Sequence, residues 1–403
     1  MRLLLFPNIL LILLVACQSN NDPITIPDRY INLENLIVYS EDVEPASNIK
    51  LIKEVSFQDN VEENILLGGW AGFEVDDLGR LFIGDYPGHS IHIFNSDGTY
   101  YTRLGREGSG PGEFRMIGTL KIIQNRLYVR DPMQFKMNIF SLETLEVDEI
   151  INMNRIPTNQ DNFDELKELY HAPDQVYPFN GGSTYLAGYQ STMRIPYVDL
   201  PSYNLNQERS INYYLIDEEW EVMGKVFDLR DIEDITVTVA GEHRYNPFSV
   251  PFLGKSILTI SDDDQIFTVW TKDLLIKTYG PDGSYQHAFY YPYVGRELIR
   301  DEAFTLFPVE DEWHKELIQH ADLPDNWPAV NSILADDEGR LWVSLNAKKG
   351  VLEWWILTSK GELISSFEWP DNRSIEKVKD DFVYVRETDE LDRVTITRYR
   401  FEL

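Results

Sequence analysis

Asp76–Ile83 reads DDLGRLFI and Asp336–Val343 reads DDEGRLWV, one turn and its outgoing strand written twice in the chain. In each copy an alternating apolar strand leads into an acidic glycine turn, and an aromatic-bearing strand leads out. A second turn follows each time, Ser96-Asp97-Gly98 in the first copy and Ser359-Lys360-Gly361 in the second. Strand, turn, strand, loop, strand, turn, strand describes one four-stranded antiparallel sheet. Sheets recurring at about 40–60 residues predict a radial array of blades.

Working outward from the two copies, the chain divides into six strand groups: Gly72–Leu104, Ile117–Met153, Val176–Leu229, Lys255–Tyr291, Val330–Trp369 and Ser374–Leu403. The third is interrupted by a polar, proline-containing insert, Ser191–Ser210. The last offers only three strands, IEKVK, FVYVRE and VTITRYRF. An orphan alternating strand, Ile49–Phe57 (IKLIKEVSF), precedes the first group and is expected to supply the missing outer strand. That pairing closes the ring and removes its free edges. The predicted fold is all-β, a six-bladed β-propeller over residues 49–403, with short helical inserts on one face. The inserts are Asn162–His171, capped by Asp161, and Arg296–Leu306 and Val309–His320 on either side of Pro308.

The front of the chain is a processing segment, Met1–Ala16. Arg2 precedes an apolar run from Leu3 to Val15, shorter than the roughly 20 residues a spanning helix needs. The run ends in Leu14-Val15-Ala16-Cys17, which resembles the lipobox of bacterial lipoprotein signal peptides. The resemblance implies that Cys17, the only cysteine, becomes the lipid-bearing first residue, with residues 17–48 as a tether. By analogy with enteric lipoproteins, the lack of Asp at the second mature position implies the outer membrane; the periplasmic and surface faces both stay open. With Cys17 acylated no thiol remains, so the fold must stand without disulfides. The formal net charge is −31, and losing Arg2 makes it one unit more negative. Such a surface repels phosphate backbones and argues against a nucleic-acid partner.

DDLGRLFIGD (Asp76–Asp85), HSIHIFNSDG (His89–Gly98) and LGREGSGPGEF (Leu104–Phe114) together look like an NHL-type repeat. The chain from Cys17 onward is similar to the six-bladed β-propeller lipoproteins of Bacteroidota, relatives of the TolB-like propellers. The first and fifth blades carry the match; the second and sixth share only the aromatic second strand. The resemblance implies architecture and compartment more than chemistry.

In a propeller the 1–2 and 3–4 turns share one face, and the 2–3 loops and blade-to-blade connections share the other. Here the former are short. The long segments, Gly105–Met116, Asn154–Tyr177, Ser191–Ser210, Arg230–Gly254 and Pro292–Ala329, all fall on the second face. Long loops in a compact fold are usually functional. The tether, entering an outer strand, is expected to leave from the tight-turn face.

Candidate chemistry is sparse. A channel calcium needs about six oxygen ligands converging from several blades. Inner strands offer Glu74, Thr119, Asn331 and Glu376, and second-strand ends offer Asp85, Asp131 and Glu387. Nothing in their spacing forces convergence, and the competing reading is solvated or cross-blade paired groups. Among the seven histidines only His89 and His92 are close, with no H-E-x-x-H pattern. No G-x-S-x-G elbow occurs. Gly105–Gly112 (GREGSGPG) lacks the Lys-Ser/Thr of a phosphate loop and reads as a blade linker with glycines at positive φ. Trp313 and Trp327, unexplained by blade packing, are candidates for a partner-contacting surface. Arg130 and Arg386, at matching second-strand ends, either bind an anion or neutralise Asp131 and Glu387. The pattern favours a binding scaffold that takes a protein or a glycan on its long-loop face. The alternative is a calcium-dependent hydrolase or lyase of the lactonase type, with Ca2+ in the channel.

Overall fold

The structure, a computed structural model, describes residues 26–40, 42–58, 67, 72–153, 173, 175–190, 209–233, 235–239, 242–246, 250–306, 312–389 and 393–403. The chain divides into two units, Met1–Asn32 and Leu33–Leu403. The first contributes a single 3-10 turn, Asp28–Tyr30, to the described residues. Among the described residues no helix is long and apolar enough to cross a membrane.

The second unit is a six-bladed β-propeller. Blade one is Phe73–Val75, Leu81–Asp85, Ser90–Phe94 and Tyr100–Leu104, each strand antiparallel to the next. Blades two to five repeat that order from the inner strands Leu120–Ile123, Gln175–Phe179, Ser256–Ile260 and Val330–Ala335. Blade six takes Arg373–Lys379, Phe382–Thr388 and Val394–Glu402 from the C-terminus and its outer strand, Lys50–Gln58, from the N-terminal side.

The repeated DD-x-GR turn works through one side chain. Asp76 Oδ1 accepts the N–H groups of Leu78 (3.0 Å) and Arg80 (2.8 Å), and Oδ2 accepts Arg80 Nε (2.6 Å). Asp336 does the same for Glu338 (3.1 Å) and Arg340 (2.8 Å), with Arg340 Nε at 2.6 Å. It also accepts Trp342 Nε1 at 2.9 Å. Both carboxylates are buried, and each turn is completed by a glycine at positive φ, Gly79 or Gly339. The arginines then reach the next blade. Arg80 Nη2 donates to Leu142 O (3.0 Å), and Arg340 lies 5.4 Å over the Phe401 ring.

Apolar side chains fill the wedges between blades. Apart from one cluster away from the ring, every apolar cluster of the described residues straddles a seam between consecutive blades. The aromatic second-strand residues Phe82, Tyr128, Phe267, Trp342 and Tyr384 lie in these seams, all buried. Phe57 of the outer strand is fully buried at the seam between blades six and one, against Phe94 at 6.0 Å.

Part of the segment read as tether is built into the ring. Leu36–Val38 runs parallel to Tyr285–Tyr291 and adds a fifth strand to blade four. Tyr39 then stacks on Tyr291 (4.7 Å, 9° between planes) and donates its hydroxyl to Lys360 O. Ser47 N donates to Ile364 O, and the buried Ser365 returns a bond to Ser47 O. Residues 34–40 and 42–49 thus form a strap along the outer edges of blades four and five, and Lys50 continues it into blade six. Lys50 pairs with Glu402, next to Phe401, whose N–H donates to Asp381 O in the first turn of blade six. The strap therefore enters its blade from the tight-turn face.

Two outcomes follow from this bonding. Asp336→Ala removes the acceptor of two turn amides, an arginine and an indole, and stranding a buried partner in this way costs about 3–5 kcal/mol. Urea unfolding should show that loss, with a smaller one for Asp336→Asn, which keeps an acceptor oxygen. A chain beginning at Asp59 leaves Val394–Glu402 as an open edge. It should elute as larger species on size exclusion than a chain beginning at Leu33.

Candidate functional site

The cluster away from the ring belongs to the long-loop face. Two blade-to-blade connections, residues 231–254 and 292–329, fold against one another there. The first forms a hairpin, Ile235–Val239 with Glu242–Asn246. The second forms the helices Arg300–Thr305 and Glu312–His320, and the longer helix packs on both hairpin strands. Ile235, Val250, Phe252, Leu298, Ala303 and Ile318 make up their shared core.

The first helix begins at Arg300, not at Arg296 as periodicity suggests, because the preceding backbone is already engaged. Arg296 N donates to Asn346 O and Leu298 N to Asp325 O, each at 2.8 Å. Arg296 instead acts as a clamp. Its guanidinium grips Glu302 in a fork (2.8 and 2.5 Å) and lies 4.3 Å over the Trp327 ring. The bond to Arg296 holds the Glu302 carboxyl below the usual carboxylate range. Trp327 meets Phe252 edge-to-face at 6.3 Å, so its ring is a structural part of this platform. Gly295 permits the clamp, since a Cβ there would sit 2.2 Å from Trp327 O. Arg300 donates to Ile318 O (2.5 Å) and Ala321 O (3.1 Å) at the end of the second helix, where carbonyls lack partners and carry partial negative charge. Trp313 is the second residue of that helix. A groove of about 580 Å3 runs between Arg300 and Pro324.

Every calcium candidate but Thr119 is held by its own partners. Glu74 pairs with Lys377 at 2.9 Å across the seam between blades one and six. Asp85 faces His92 at 3.3 Å. Asp131 accepts the amides of Met133, Gln134 and Arg115, closing a loop. Asn331 donates to Ser344 Oγ, and Glu387 accepts the hydroxyls of Thr397 and Tyr399. Thr119 is exposed, and Glu376 is taken by Arg386 in a bidentate pair of 2.7 and 3.0 Å. Among the described residues no three His, Cys, Asp or Glu side chains come together as a metal site. Arg386 is thus spent on Glu376, and Arg130 donates to Pro173 O at 2.9 Å. The two arginines have separate local partners.

The glycine-rich linker turns its polar groups on itself. Glu113 accepts Gly110 N and binds Arg106, while Lys136 Nζ donates to Gly110 O. Gly105, Gly108 and Gly112 take positive φ, and a Cβ on Gly105 would lie 2.4 Å from the Phe114 ring. Cys17, the Asn162–His171 insert and residues 191–208 lie outside the described residues.

The channel holds a set of groups that the sequence did not single out: Lys121, Lys377 and Lys379, all on inner strands. Lys379 pairs with Asp77 at 2.6 Å. The available signal is a lysine inside the apolar run LKII, and twice more in EKVK.

Comparison with known proteins agrees on the fold. Residues 61–214, less than half of the chain, match the model of a family described as a 6-bladed beta-propeller. A Bacteroides fragilis protein described as exported superposes with a TM-score of 0.50 at 14% identity, over 91% of this chain and 100% of that one. A member of the DUF4221 family from Bacteroides vulgatus superposes with a TM-score of 0.51 at 10% identity, over 89% and 99%. No curated protein matches the chain. At these identities the likeness is one of fold.

Arg300→Ala should loosen the platform and spare the ring. Losing two charge-assisted bonds to helix carbonyls costs about 1.5–3 kcal/mol each at most. Hydrogen exchange should rise over residues 312–320 and stay unchanged in strand Leu341–Lys348.

Proposed function

We propose that the protein is an exported, lipid-anchored binding propeller whose long-loop face receives a protein or glycan partner. The observation that carries this reading is the platform itself. Ring closure does not require it, since two residues suffice to connect the outer strand ending at Pro370 with the inner strand starting at Arg373. Residues 292–329 instead build a second layer, and that layer leaves apolar side chains in water. Val294 is 71% exposed, Ile299 57% and Leu306 41%, all on one insert. Exposed apolar side chains recurring along one insert favour an interaction surface, and such anchors carry most of the binding energy where they meet a partner.

The compartment part of the proposal rests on the lipobox-like Leu14–Cys17 and on the B. fragilis neighbour described as exported. The strap's entry from the tight-turn face would turn the platform away from the anchored membrane.

A photo-cross-linker at position 297 of the full chain, expressed in its native envelope, tests the reading. It should capture a discrete partner, and Val294→Asp with Ile299→Asp should reduce that capture at least tenfold while the melting temperature stays unchanged. Equal capture by the double variant, or no partner at all, would remove the long-loop face from the proposal.

A further inference from the structure

On the opposite face the channel opens into a cavity of about 520 Å3. It lies among the first turns of blades one to four and the end of the inner strand of blade six, so it is central to the ring. Its volume falls in the range of small-molecule pockets, about 300–1,000 Å3.

Its charges are incompletely matched. Lys377 is satisfied by Glu74 and Lys379 by Asp77. Lys121, half-buried in the wall on blade two, has neither a hydrogen bond nor an ion pair among the described residues. The Lys377 ammonium, and then burial, push its amine below the ordinary lysine value; Glu74 and Asp262 oppose the shift, and Lys379 adds to it. Across the cavity on blade four, Asp262 is likewise without a partner among the described residues, and Asp264 beside it is pushed up by burial. Ile123, Pro178 and Ile260 supply an apolar wall between these two sides. A simple anion would satisfy Lys121 but would face Asp262 and Asp264, and a simple cation at Asp262 would leave Lys121 unmatched and share the cavity with Lys121 and Lys379. The complementary ligand carries both signs on an apolar body.

We infer that this cavity binds a small zwitterion, an apolar α-amino acid or short peptide, with its carboxylate on Lys121 and its ammonium on Asp262. The inference is independent of the platform, which lies on the other face. The carboxylate requires the charged amine, so binding of N-acetylleucine, which has no titrating ammonium, should fade as pH rises through the Lys121 pKa, earlier than for an ordinary lysine.

Calorimetric titration with leucine, Leu-Leu, leucinamide and N-acetylleucine tests it. Leucine or Leu-Leu should bind, and whichever is tighter identifies the free amino acid or the peptide as the ligand. Leucinamide lacks the carboxylate and N-acetylleucine lacks the ammonium; each should bind about ten- to a hundredfold more weakly, the usual cost of one charge-assisted contact. Lys121→Met should weaken leucine and leave leucinamide unchanged, and the exposed Asp262→Asn should weaken leucine and leave N-acetylleucine unchanged. The proposal fails if neither zwitterion binds, if leucinamide binds as tightly as leucine, or if a folded Lys121→Met variant binds as the native chain does. The comparison of blocked ligands and the pH profile use the native protein, so they decide the matter even if a variant does not fold.

Discussion

A buried carboxylate closes the first turn of blade one and of blade five, and the seams of the ring depend on what it holds. Neighbouring blades are not paired strand to strand, so side chains do most of the joining, beside backbone bonds such as Val330 N to Thr271 O. Asp76 and Asp336 each fix an arginine at 2.6 Å, and that arginine is delivered to the adjacent blade. A lone buried carboxylate would be costly, but here its oxygens are filled by turn amides and a guanidinium. One residue type thereby sets a local turn and a long-range contact together. This is why the DD-x-GR pattern is the most readable part of the sequence.

Legibility follows local physics. Alternating strands with aromatic second strands, such as Leu81–Asp85 and Leu341–Lys348, declare themselves because each packs into a wedge of its own blade. The strand Leu36–Val38 does not, although its residues are β-branched or apolar, because it is three residues long and its partner lies in blade four. The hairpin Ile235–Asn246 hides within a blade-to-blade connection: its first strand alternates, but its second, Glu242-His-Arg-Tyr-Asn246, is polar and offers no apolar period. The candidate site is harder still. Residue types can nominate Glu74 or Arg386, but only three dimensions show that Lys377 and Glu376 already hold them. Lys121 is inconspicuous in the sequence for the converse reason, since being without a partner is a property of its surroundings.

The two faces of the ring divide the chemistry between them. The long-loop face is built from apolar clusters and arginine clamps, and its polar groups are mostly satisfied within the platform. The tight-turn face is made of short acidic turns around a channel where lysines persist in a chain of net charge −31. Two of those lysines are paired with carboxylates, Lys377 with Glu74 and Lys379 with Asp77, so part of the negative charge is neutralised locally at the axis. Long-range attraction of cations by the surface and short-range recognition at the channel are therefore different effects, and added salt screens the first far more than the second.

The strap also sets an order of events. Residues 34–58 leave the ribosome before any blade exists, yet their partners are Tyr285–Tyr291, Ile364, Ser365 and the final strand Val394–Glu402. Such pairing across almost the whole chain places the ring among high-contact-order folds, which assemble slowly. Until Val394–Glu402 emerges, Lys50–Gln58 has nothing to pair with, and a nascent propeller must carry it as an unprotected edge. The ring therefore closes between its earliest and latest strands, and it becomes one cooperative body only once the nine-residue strand Val394–Glu402 is made.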